Sequence, residues 1–195
     1  MWKDKLKGYT IILASGSPRR KRFFQDMGLE FEIRLGKVDE VYPQNLKGSE
    51  ISDYLAQLKA RALMDSLADK EILITSDTVV WHKGVSLAKP TDEQEAIAML
   101  GTLSNEWHEV ITSVSLTTIT SQKTVNHTTN VKFKKLTTEE ILFYIENHHP
   151  YDKAGGYGIQ EWIGLIGIEE IKGSYTNVVG LPTHLVYETL MGIVD

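Results

Sequence analysis

The 195-residue sequence contains no cysteine, and this absence excludes several kinds of chemistry. A chain without thiols cannot form disulfides, use a cysteine nucleophile or hold zinc through thiolates, and it is compatible with a reducing compartment. The sequence also lacks internal repeats, low-complexity tracts and linkers rich in Pro, Gly or Ser. We therefore expect a single domain over residues 1–195, whose length also allows two tightly joined lobes.

Positive charge is scarcer than negative charge, and long apolar runs are missing. Lys and Arg number 21 against 26 Asp and Glu, which gives a formal net charge of −5 at pH 7. General nucleic-acid-binding proteins usually carry a cationic excess, so we expect no nucleic-acid partner. The apolar run at 9–14 is too short to cross a bilayer, and no signal-peptide cleavage pattern follows it. The expected location is the cytoplasm, without membrane association.

Strand-like and helix-like patterns alternate along the chain. Short apolar or β-branched segments predict strands at 9–14, 31–35, 72–74, 77–80, 85–87 and 162–171. Two Thr/Val-rich segments, 108–120 and 124–135, predict a long hairpin. This hairpin indicates a mixed sheet within an α/β fold.

Helix boundaries are indicated by capping residues. Helix starts are predicted at Ser17 with Pro18, at Ser49, at Thr91 with Gln94, at Thr137 with Glu140, and at Pro182. Gly28 and Gly101 are predicted to end the first and third of these helices.

The segment from Leu13 to Arg20 combines features of a phosphate site. Small residues, beginning with Ala14 and Ser15, let the backbone approach a ligand, and the helix that follows directs free N–H groups at the loop. Arg19 and Arg20 add guanidinium groups suited to phosphate. The segment is not a Walker A loop, because G-x-x-x-x-G-K-[ST] occurs nowhere in the sequence. By itself, a capped helix with exposed arginines explains it equally well.

A second candidate segment centres on Asp77, which follows a predicted buried strand. Ligands of α/β proteins usually lie at the carboxyl ends of strands, and an ionised Asp can bind Mg²⁺ or accept a proton. Taken alone, Asp77 is slightly better explained as a turn-capping residue. Lys59 and Lys89 are, taken alone, ordinary surface or snorkelling lysines.

The glycine-rich segment at 151–160 predicts a loop that passes close to a ligand or to another part of the backbone. Its three glycines in four residues make a poor helix and a poor central strand. Gln160 offers both a donor and an acceptor, which suits the edge of a pyrimidine base. A tight structural turn is an equally good interpretation.

Histidine and serine offer no catalytic pattern. His148 and His149 lack the spacing of a helical metal pair, and the other four histidines are isolated. No serine lies in a nucleophile-elbow motif. We interpret all six histidines as structural or surface residues.

Several blocks, in this order, resemble the Maf family of nucleotide pyrophosphatases over nearly the whole chain. They are Leu13-Ala14-Ser15-Gly16-Ser17-Pro18-Arg19-Arg20, Ser76-Asp77-Thr78-Val79-Val80, Lys89-Pro90, the run from Asp152 to Gln160, and the run from Gly173 to Pro182. The resemblance implies two lobes of mixed α/β structure around a central nucleotide cleft, related to the inosine-triphosphate pyrophosphatases. It also implies a homodimer and a divalent cation, with Mg²⁺ preferred and Mn²⁺ as an alternative.

The resemblance also implies roles for individual residues. Asp77 matches the proton acceptor, and Arg19, Thr78 and Gln160 match positions associated with base preference in the dTTP/UTP branch. The polar positions around phosphates and metal are matched by Ser15, Arg20, Glu40, Lys59 and Lys89, with Asp77 and Glu40 as the metal ligands. Gly156 and Ser76 are small-for-small departures from the family pattern.

The expected activity is hydrolysis of dTTP and UTP, or of modified pyrimidine nucleotides, to the monophosphate and diphosphate. In this scheme Asp77 accepts the proton of the attacking water, and Lys59, Lys89 and Arg20 stabilise the leaving diphosphate. The alternatives are a non-catalytic nucleotide-binding regulator of cell division and an enzyme for another base, such as inosine triphosphate.

Overall fold

A computed structural model describes residues 1–194. Its strands are β1 (Thr10–Leu13), β2 (Glu32–Ile33), β3 (Glu71–His82), β4 (Val85–Leu87), β5 (Trp107–Thr117), β6 (Gln122–Phe133) and β7 (Ile168–Lys172). Its α-helices are α1 (Trp2–Lys5), α2 (Pro18–Asp26), α3 (Ser49–Met64), α4 (Glu93–Leu103), α5 (Thr138–His148), α6 (Trp162–Gly167), α7 (Tyr175–Val179) and α8 (Thr183–Val194). Two 3-10 turns, Pro150–Asp152 and Ala154–Gly156, lie between α5 and α6. Within residues 1–194, no helix has the length and apolar character needed to span a bilayer.

The seven strands form one mixed sheet, as the sequence predicts. The strand order is β2-β1-β3-β5-β6-β7, with β4 paired to the end of β3. β1 runs parallel to both β2 and β3, whereas the remaining pairs are antiparallel. The predicted long hairpin is confirmed, because β5 and β6 pair along their whole lengths around a short turn.

The edge of β3 opposite β5 is only partly covered. β1 pairs with positions 71–74 of β3, and β4 pairs with positions 80–82. In the described part of the chain no strand pairs with positions 75–79 on that edge. Asp77 lies in this gap, so it sits in the middle of a long strand and not at the end of the short strand predicted from the sequence.

Two hydrophobic cores occupy opposite ends of the long central strands. The first contains Ile11, Leu13, Phe24, Ile72, Ile74, Val114 and Leu190. The second contains Val80, Leu100, Val110, Phe133, Tyr144 and Ile163. Each core packs around its own end of β3 and β5, and the gap in β3 lies between them.

Several predicted helix ends are confirmed. Ser17 caps α2 by accepting the N–H of Arg20, and Pro18 is the first helical residue. Gly28 follows α2 with a left-handed φ of 68°. The Thr137–Glu140 capping box is present at the start of α5. Pro182 lies immediately before α8.

The prediction of a single strand at 162–171 is wrong. Residues 162–167 form α6, and only 168–172 form a strand. Ile163 and Gly167 are buried four residues apart, which is the spacing of one helical face. The apolar run Ile163 to Ile168 is therefore divided between a helix and a strand by its packing, which periodicity over so short a run does not resolve.

Three predicted caps are also wrong. Asp92, not Thr91, caps α4, because its side chain accepts the N–H of Glu95. Gly101 lies inside α4, which continues to Leu103. Ser49 is the first residue of α3 and provides no cap, since the N-cap position belongs to Gly48.

Candidate functional site

A cleft of about 380 Å³ opens beside the gap in β3. Eight of the nine residues predicted for the site line it: Arg19, Arg20, Glu40, Lys59, Asp77, Thr78, Lys89 and Gln160. The ninth, Ser15, lines a second cavity that shares Arg19, Arg20, Glu40, Lys59 and Lys89 with the first. The fold therefore brings together side chains that lie as much as 145 positions apart, from Ser15 to Gln160.

Asp77 is the most buried acid of the cleft, with 7% of its surface exposed. Its Oδ1 lies 2.5 Å from the Nζ of Lys59 on α3, and this ammonium is also 2.9 Å from Oε1 of Glu40. Burial raises the pKa of Asp77 above its usual value, although the charge of Lys59 acts in the opposite direction. The carboxylate is therefore a better proton acceptor than an exposed Asp.

Glu40 approaches the same ammonium from the loop before α3. Partial burial acts to raise the pKa of Glu40, but the hydrogen bond and charge of Lys59 outweigh it, so the pKa is lowered. Glu40 and Asp77 are thus two carboxylates converging on one positive charge. Carboxylate oxygens are hard ligands that suit Mg²⁺, which commonly takes one or two of them and completes its shell with water and substrate phosphates.

Residues 1–194 contain no group of three His, Asp or Glu side chains arranged to hold a metal ion. Two converging carboxylates fit a cation that arrives with a polyphosphate better than a cation held by the protein alone. The carboxylates of Asp77 and Glu40 are compatible with binding such a polyphosphate-bound cation.

Arg20 fills the gap in the edge of β3. Its Nη1 donates to the backbone carbonyl of Ser76 at 2.9 Å, where a neighbouring strand would otherwise donate. Its Nη2 donates to Oγ1 of Thr78 at 3.1 Å, and its Nε donates to the carbonyl of Gly180 at 2.8 Å. A longer contact of 3.4 Å reaches Oγ of Ser15. These contacts make Arg20 a clamp that joins the loop after β1, strand β3 and the turn after α7.

The loop from Ser15 to Arg20 is held in a fixed form by its own serines. Oγ of Ser15 accepts the N–H of Ser17 at 3.2 Å, and Oγ of Ser17 accepts the N–H of Arg20 at 3.4 Å. Ser17, the N-cap of α2, lines the cleft, so the N-terminus of this helix lies beside the cleft, where the helix dipole favours an anion.

Asp77 and Thr78 are adjacent in β3 and point to opposite faces of the sheet. Asp77 faces Lys59 of α3, whereas Thr78 faces Arg20 and shares a 3.0 Å hydrogen bond with Thr112 of β5. Both reach the cleft because no strand covers this part of the edge.

The three predicted specificity residues come from separate elements around the cleft. Arg19 lies on α2, and its Nη1 is 3.2 Å from Oδ2 of Asp152. Thr78 lies on β3, and Gln160 is exposed in the loop before α6. Lys89 is exposed on the wall formed after β4 and has no ion-pair partner in the described part of the chain.

Sequence reasoning missed two contributors to the site. Lys153 is only 8% exposed, and its Nζ lies 2.6 Å from Asp152 and 3.0 Å from Glu161. Gly180, which lies in the last of the blocks that resemble the family, supplies the carbonyl that accepts a hydrogen bond from Nε of Arg20. Apart from its position in the glycine-rich loop, nothing in the sequence indicates that Lys153 is buried.

The histidines lie apart from the acids of the cleft. His108 is buried, and its Nε2 is 2.6 Å from the hydroxyl of Tyr157, whose ring lines the cleft. Burial lowers the pKa of His108 to about 3, so the ring is neutral at physiological pH. A neutral, buried ring behind Tyr157 has the structural role that the sequence predicts.

Comparison with known proteins gives a consistent picture. The family described as "Maf-like protein" matches residues 10–193. The chain is 55% identical to the dTTP/UTP pyrophosphatase of Flavobacterium johnsoniae over 194 residues, which is 100% of both chains. It is 54% identical to that of Christiangramia forsetii over 97% of both chains, and 47% identical to that of Bacteroides fragilis over 95% of this chain and 96% of the relative.

Solved structures resemble the chain more distantly. The Ham1 protein of Staphylococcus aureus has a TM-score of 0.44 at 15% identity, covering 64% of this chain and 71% of its own. Protein VC0702 of Vibrio cholerae has a TM-score of 0.39 at 11% identity, covering 94% and 91%. The family assignment depends on the sequence comparisons and not on these two structures.

Proposed function

Because the chain belongs to the Maf family, we propose that it is a nucleoside triphosphate pyrophosphatase that hydrolyses dTTP and UTP to the monophosphate and diphosphate. Two relatives that carry the name dTTP/UTP pyrophosphatase cover 100% and 97% of the chain. The observation that supports the proposal most is the buried Asp77 carboxylate, which faces the same cleft as Arg19, Lys59 and Lys89.

The proposed reaction assigns the base to Asp77. Its carboxylate accepts a proton from the water that attacks the α-phosphorus, and the bond to the bridging oxygen of the β-phosphate breaks. The raised pKa of Asp77 favours this proton transfer. Lys59 lies beside the carboxylate and holds its orientation through the 2.5 Å contact.

The departing diphosphate carries the charge that develops in the reaction. Lys89 is exposed on the cleft wall, and the N-terminus of α2 faces the same space. Preorganised positive groups of this kind stabilise a developing anion. Arg20 contributes mainly by fixing β3, since four of its contacts are made to the protein itself.

We propose that a divalent cation, Mg²⁺ or Mn²⁺, is bound by Asp77 and Glu40 together with the substrate phosphates. A cation there would neutralise phosphate charge and polarise the α-phosphoryl group. The convergence of the two carboxylates on the Lys59 ammonium supports this assignment, because the same pair of oxygens attracts any cation of suitable size.

Base preference is assigned to Arg19, Thr78 and Gln160. Arg19 supplies guanidinium donors, Gln160 supplies a carboxamide donor and acceptor, and the hydroxyl of Thr78, which donates to Thr112, supplies an acceptor. The three side chains line one cleft, which supports their contact with a single base. The 4-carbonyl of thymine or uracil is an acceptor that these donors could bind.

A triphosphate panel tests the function directly. The purified chain is incubated with dTTP, UTP, CTP, dGTP and ITP in the presence of Mg²⁺, and diphosphate and orthophosphate are measured separately. The proposal expects diphosphate and the nucleoside monophosphate, fastest with dTTP and UTP. Binding without release of diphosphate from any triphosphate would favour the non-catalytic regulator, and fastest turnover of ITP would favour the purine alternative.

We also propose a homodimer in the cytoplasm. The family resemblance supports the dimer, and a nucleotide substrate together with the absence of cysteine supports the cytoplasm. Light scattering coupled to size exclusion measures the first, and cell fractionation of the tagged chain measures the second. A monomer of 22.0 kDa in solution would contradict the dimer.

A further inference from the structure

The turn that carries Gln160 is fixed from the interior of the protein. The N–H of Glu161 donates to the carbonyl of Gly158 at 3.0 Å, which closes a turn with Gln160 at its third position. The N–H of Gly158 in turn donates to the hydroxyl of Tyr144 at 2.9 Å. Tyr144 belongs to α5 and has no exposed surface, so a rigid helix anchors the start of this turn.

Glu161 anchors the other end of the same turn. Its Oε2 accepts a hydrogen bond from the hydroxyl of Tyr144, and its Oε1 lies 3.0 Å from the ammonium of the buried Lys153. The hydroxyl thus accepts from Gly158 and donates to Glu161, so it uses its donor and one acceptor site within the turn.

This anchor extends to Arg19 in the first turn of α2. Lys153 also lies 2.6 Å from one carboxylate oxygen of Asp152, and the other oxygen lies 3.2 Å from Nη1 of Arg19. A continuous series of contacts therefore joins Arg19 to Glu161, the neighbour of Gln160. The network therefore reaches Arg19, one residue assigned to base preference, and the turn that carries Gln160, another.

The carboxamide of Gln160 lies directly over Gly158. A Cβ atom added to Gly158 would come within 2.8 Å of Nε2 of Gln160 and 2.9 Å of the carboxylate carbon of Glu161. Gly158 therefore forms the surface on which the carboxamide rests. Movement of this backbone would change the direction in which Gln160 presents its donor and acceptor.

We propose that Tyr144 and Glu161 are positioning residues for base selection, which act through Gly158 on the orientation of Gln160 without touching the nucleotide. The inference rests on the proposed function. Uracil and cytosine differ at position 4, where one presents a carbonyl acceptor and the other an amino donor. A carboxamide distinguishes them only if its oxygen and nitrogen are held in place, because a half-turn of the amide exchanges donor and acceptor.

The test is Tyr144→Phe, which removes one hydroxyl and retains the buried ring. The ratio of kcat/KM for UTP to that for CTP should fall by about tenfold, the equivalent of one well-formed hydrogen bond. Tyr187→Phe on α8 is the matched control and should keep the wild-type ratio, since Tyr187 is exposed and outside the cleft. Introducing Tyr144→Phe into a Gln160→Ala background should leave the ratio unchanged.

A purely structural role for Tyr144 gives a different result. Destabilisation alone lowers turnover of both nucleotides equally, so a Tyr144→Phe enzyme with the wild-type ratio overturns the proposal. A further fall in the ratio on the Gln160→Ala background also overturns it, because Tyr144 would then act by another route. If Tyr144→Phe does not unfold cooperatively, Glu161→Gln replaces it and should lower the ratio in the same direction.

A binding measurement separates this inference from the function on which it rests. The affinities of UTP and CTP are measured by calorimetry with divalent cations chelated, so no turnover is needed. If the wild type releases no diphosphate but binds UTP more tightly, the proposed function fails, and a reduced affinity ratio in Tyr144→Phe still supports positioning. The positioning proposal is overturned if the wild type binds UTP and CTP with equal affinity and also hydrolyses them with equal kcat/KM.

Discussion

The ammonium of Lys59 lies 2.5 Å from the carboxylate of Asp77, and only small fractions of the two side chains, 18% and 10%, are exposed. An unpaired buried carboxylate is costly, so the ammonium of Lys59 stabilises the charged form of Asp77. The pair joins α3 to the uncovered part of β3. The charge distribution of the cleft therefore depends on Lys59 and Asp77 together.

Asp77→Asn should abolish turnover while leaving nucleotide binding within about threefold of the wild type. The amide keeps the size of the side chain but cannot accept a proton, and loss of a general base typically costs about 10² to 10⁴ in rate. Diphosphate release and calorimetric binding measure the two effects. Asp26→Asn is the control, because Asp26 forms only an exposed pair with Arg22. A variant with near-normal turnover would remove Asp77 from the role of base.

Lys59→Met should move the acidic limb of the pH–rate profile to higher pH. The charge of Lys59 opposes the rise in the pKa of Asp77 caused by burial, so its removal raises that pKa further. The base then becomes protonated at a higher pH, and activity is lost earlier as the pH falls. Lys47→Met is the exposed control and should keep the wild-type profile. An unshifted acidic limb would contradict the coupling.

Substitutions of Arg20 and Lys89 should separate the structural contribution of Arg20 to stability from the electrostatic contribution of Lys89 to turnover. Arg20→Gln removes donors from two backbone carbonyls and the Thr78 hydroxyl, so the free energy of unfolding should fall by about 3 kcal/mol. Lys89→Gln changes an exposed side chain, so stability should change by less than about 0.5 kcal/mol while turnover still falls. Urea unfolding and diphosphate release provide the comparison. Equal losses of stability would contradict the role of Arg20 as a clamp.

Gln160→Ala should reduce the preference between bases more than it reduces turnover of the preferred nucleotide. Gln160 is exposed on the cleft wall, so truncation removes a donor and an acceptor without disturbing a core. The ratio of kcat/KM for UTP to that for CTP measures the effect. Gln25→Ala on the exposed face of α2 is the control. An unchanged substrate profile would show that Gln160 does not contact the base.

His108 should make the protein less stable in mild acid. The pKa of His108 is about 3 in the folded chain because the ring is buried, whereas an exposed histidine has a pKa near 6.5. Between these values only the unfolded chain binds the proton, so the free energy of unfolding falls as the pH falls, by up to about 1.4 kcal/mol per pH unit.

The measurement compares urea unfolding of the wild type and His108→Gln at pH 7, 6 and 5. The variant should lose less stability between pH 6 and 5, with a difference of about 1 kcal/mol per pH unit. His149→Asn, at an exposed position with a left-handed φ of 46°, should retain the wild-type dependence. Identical slopes in wild type and His108→Gln would contradict the buried neutral ring.

The elements predicted best were those with a local physical cause. Ser17 followed by Pro18 fixed the start of α2, and the Thr137–Glu140 box fixed the start of α5, because capping involves only the first turn of a helix. The segment at 162–171 was mispredicted because its division into α6 and β7 is set by packing on the second core. Asp77 was predicted to lie at a strand end. The sequence does not show that β3 continues past the end of β1 by pairing with β5.

By itself the sequence determined the mixed α/β class and the family, and it predicted nine residues for the candidate site, since composition, capping and ordered motifs are local properties of the chain. Tertiary structure alone decided that β1 and β4 leave positions 75–79 of β3 uncovered and that Arg20 fills the gap. It also decided that Lys153 is buried between two carboxylates. Burial and partner distance depend on long-range pairing, and no single segment carries that information.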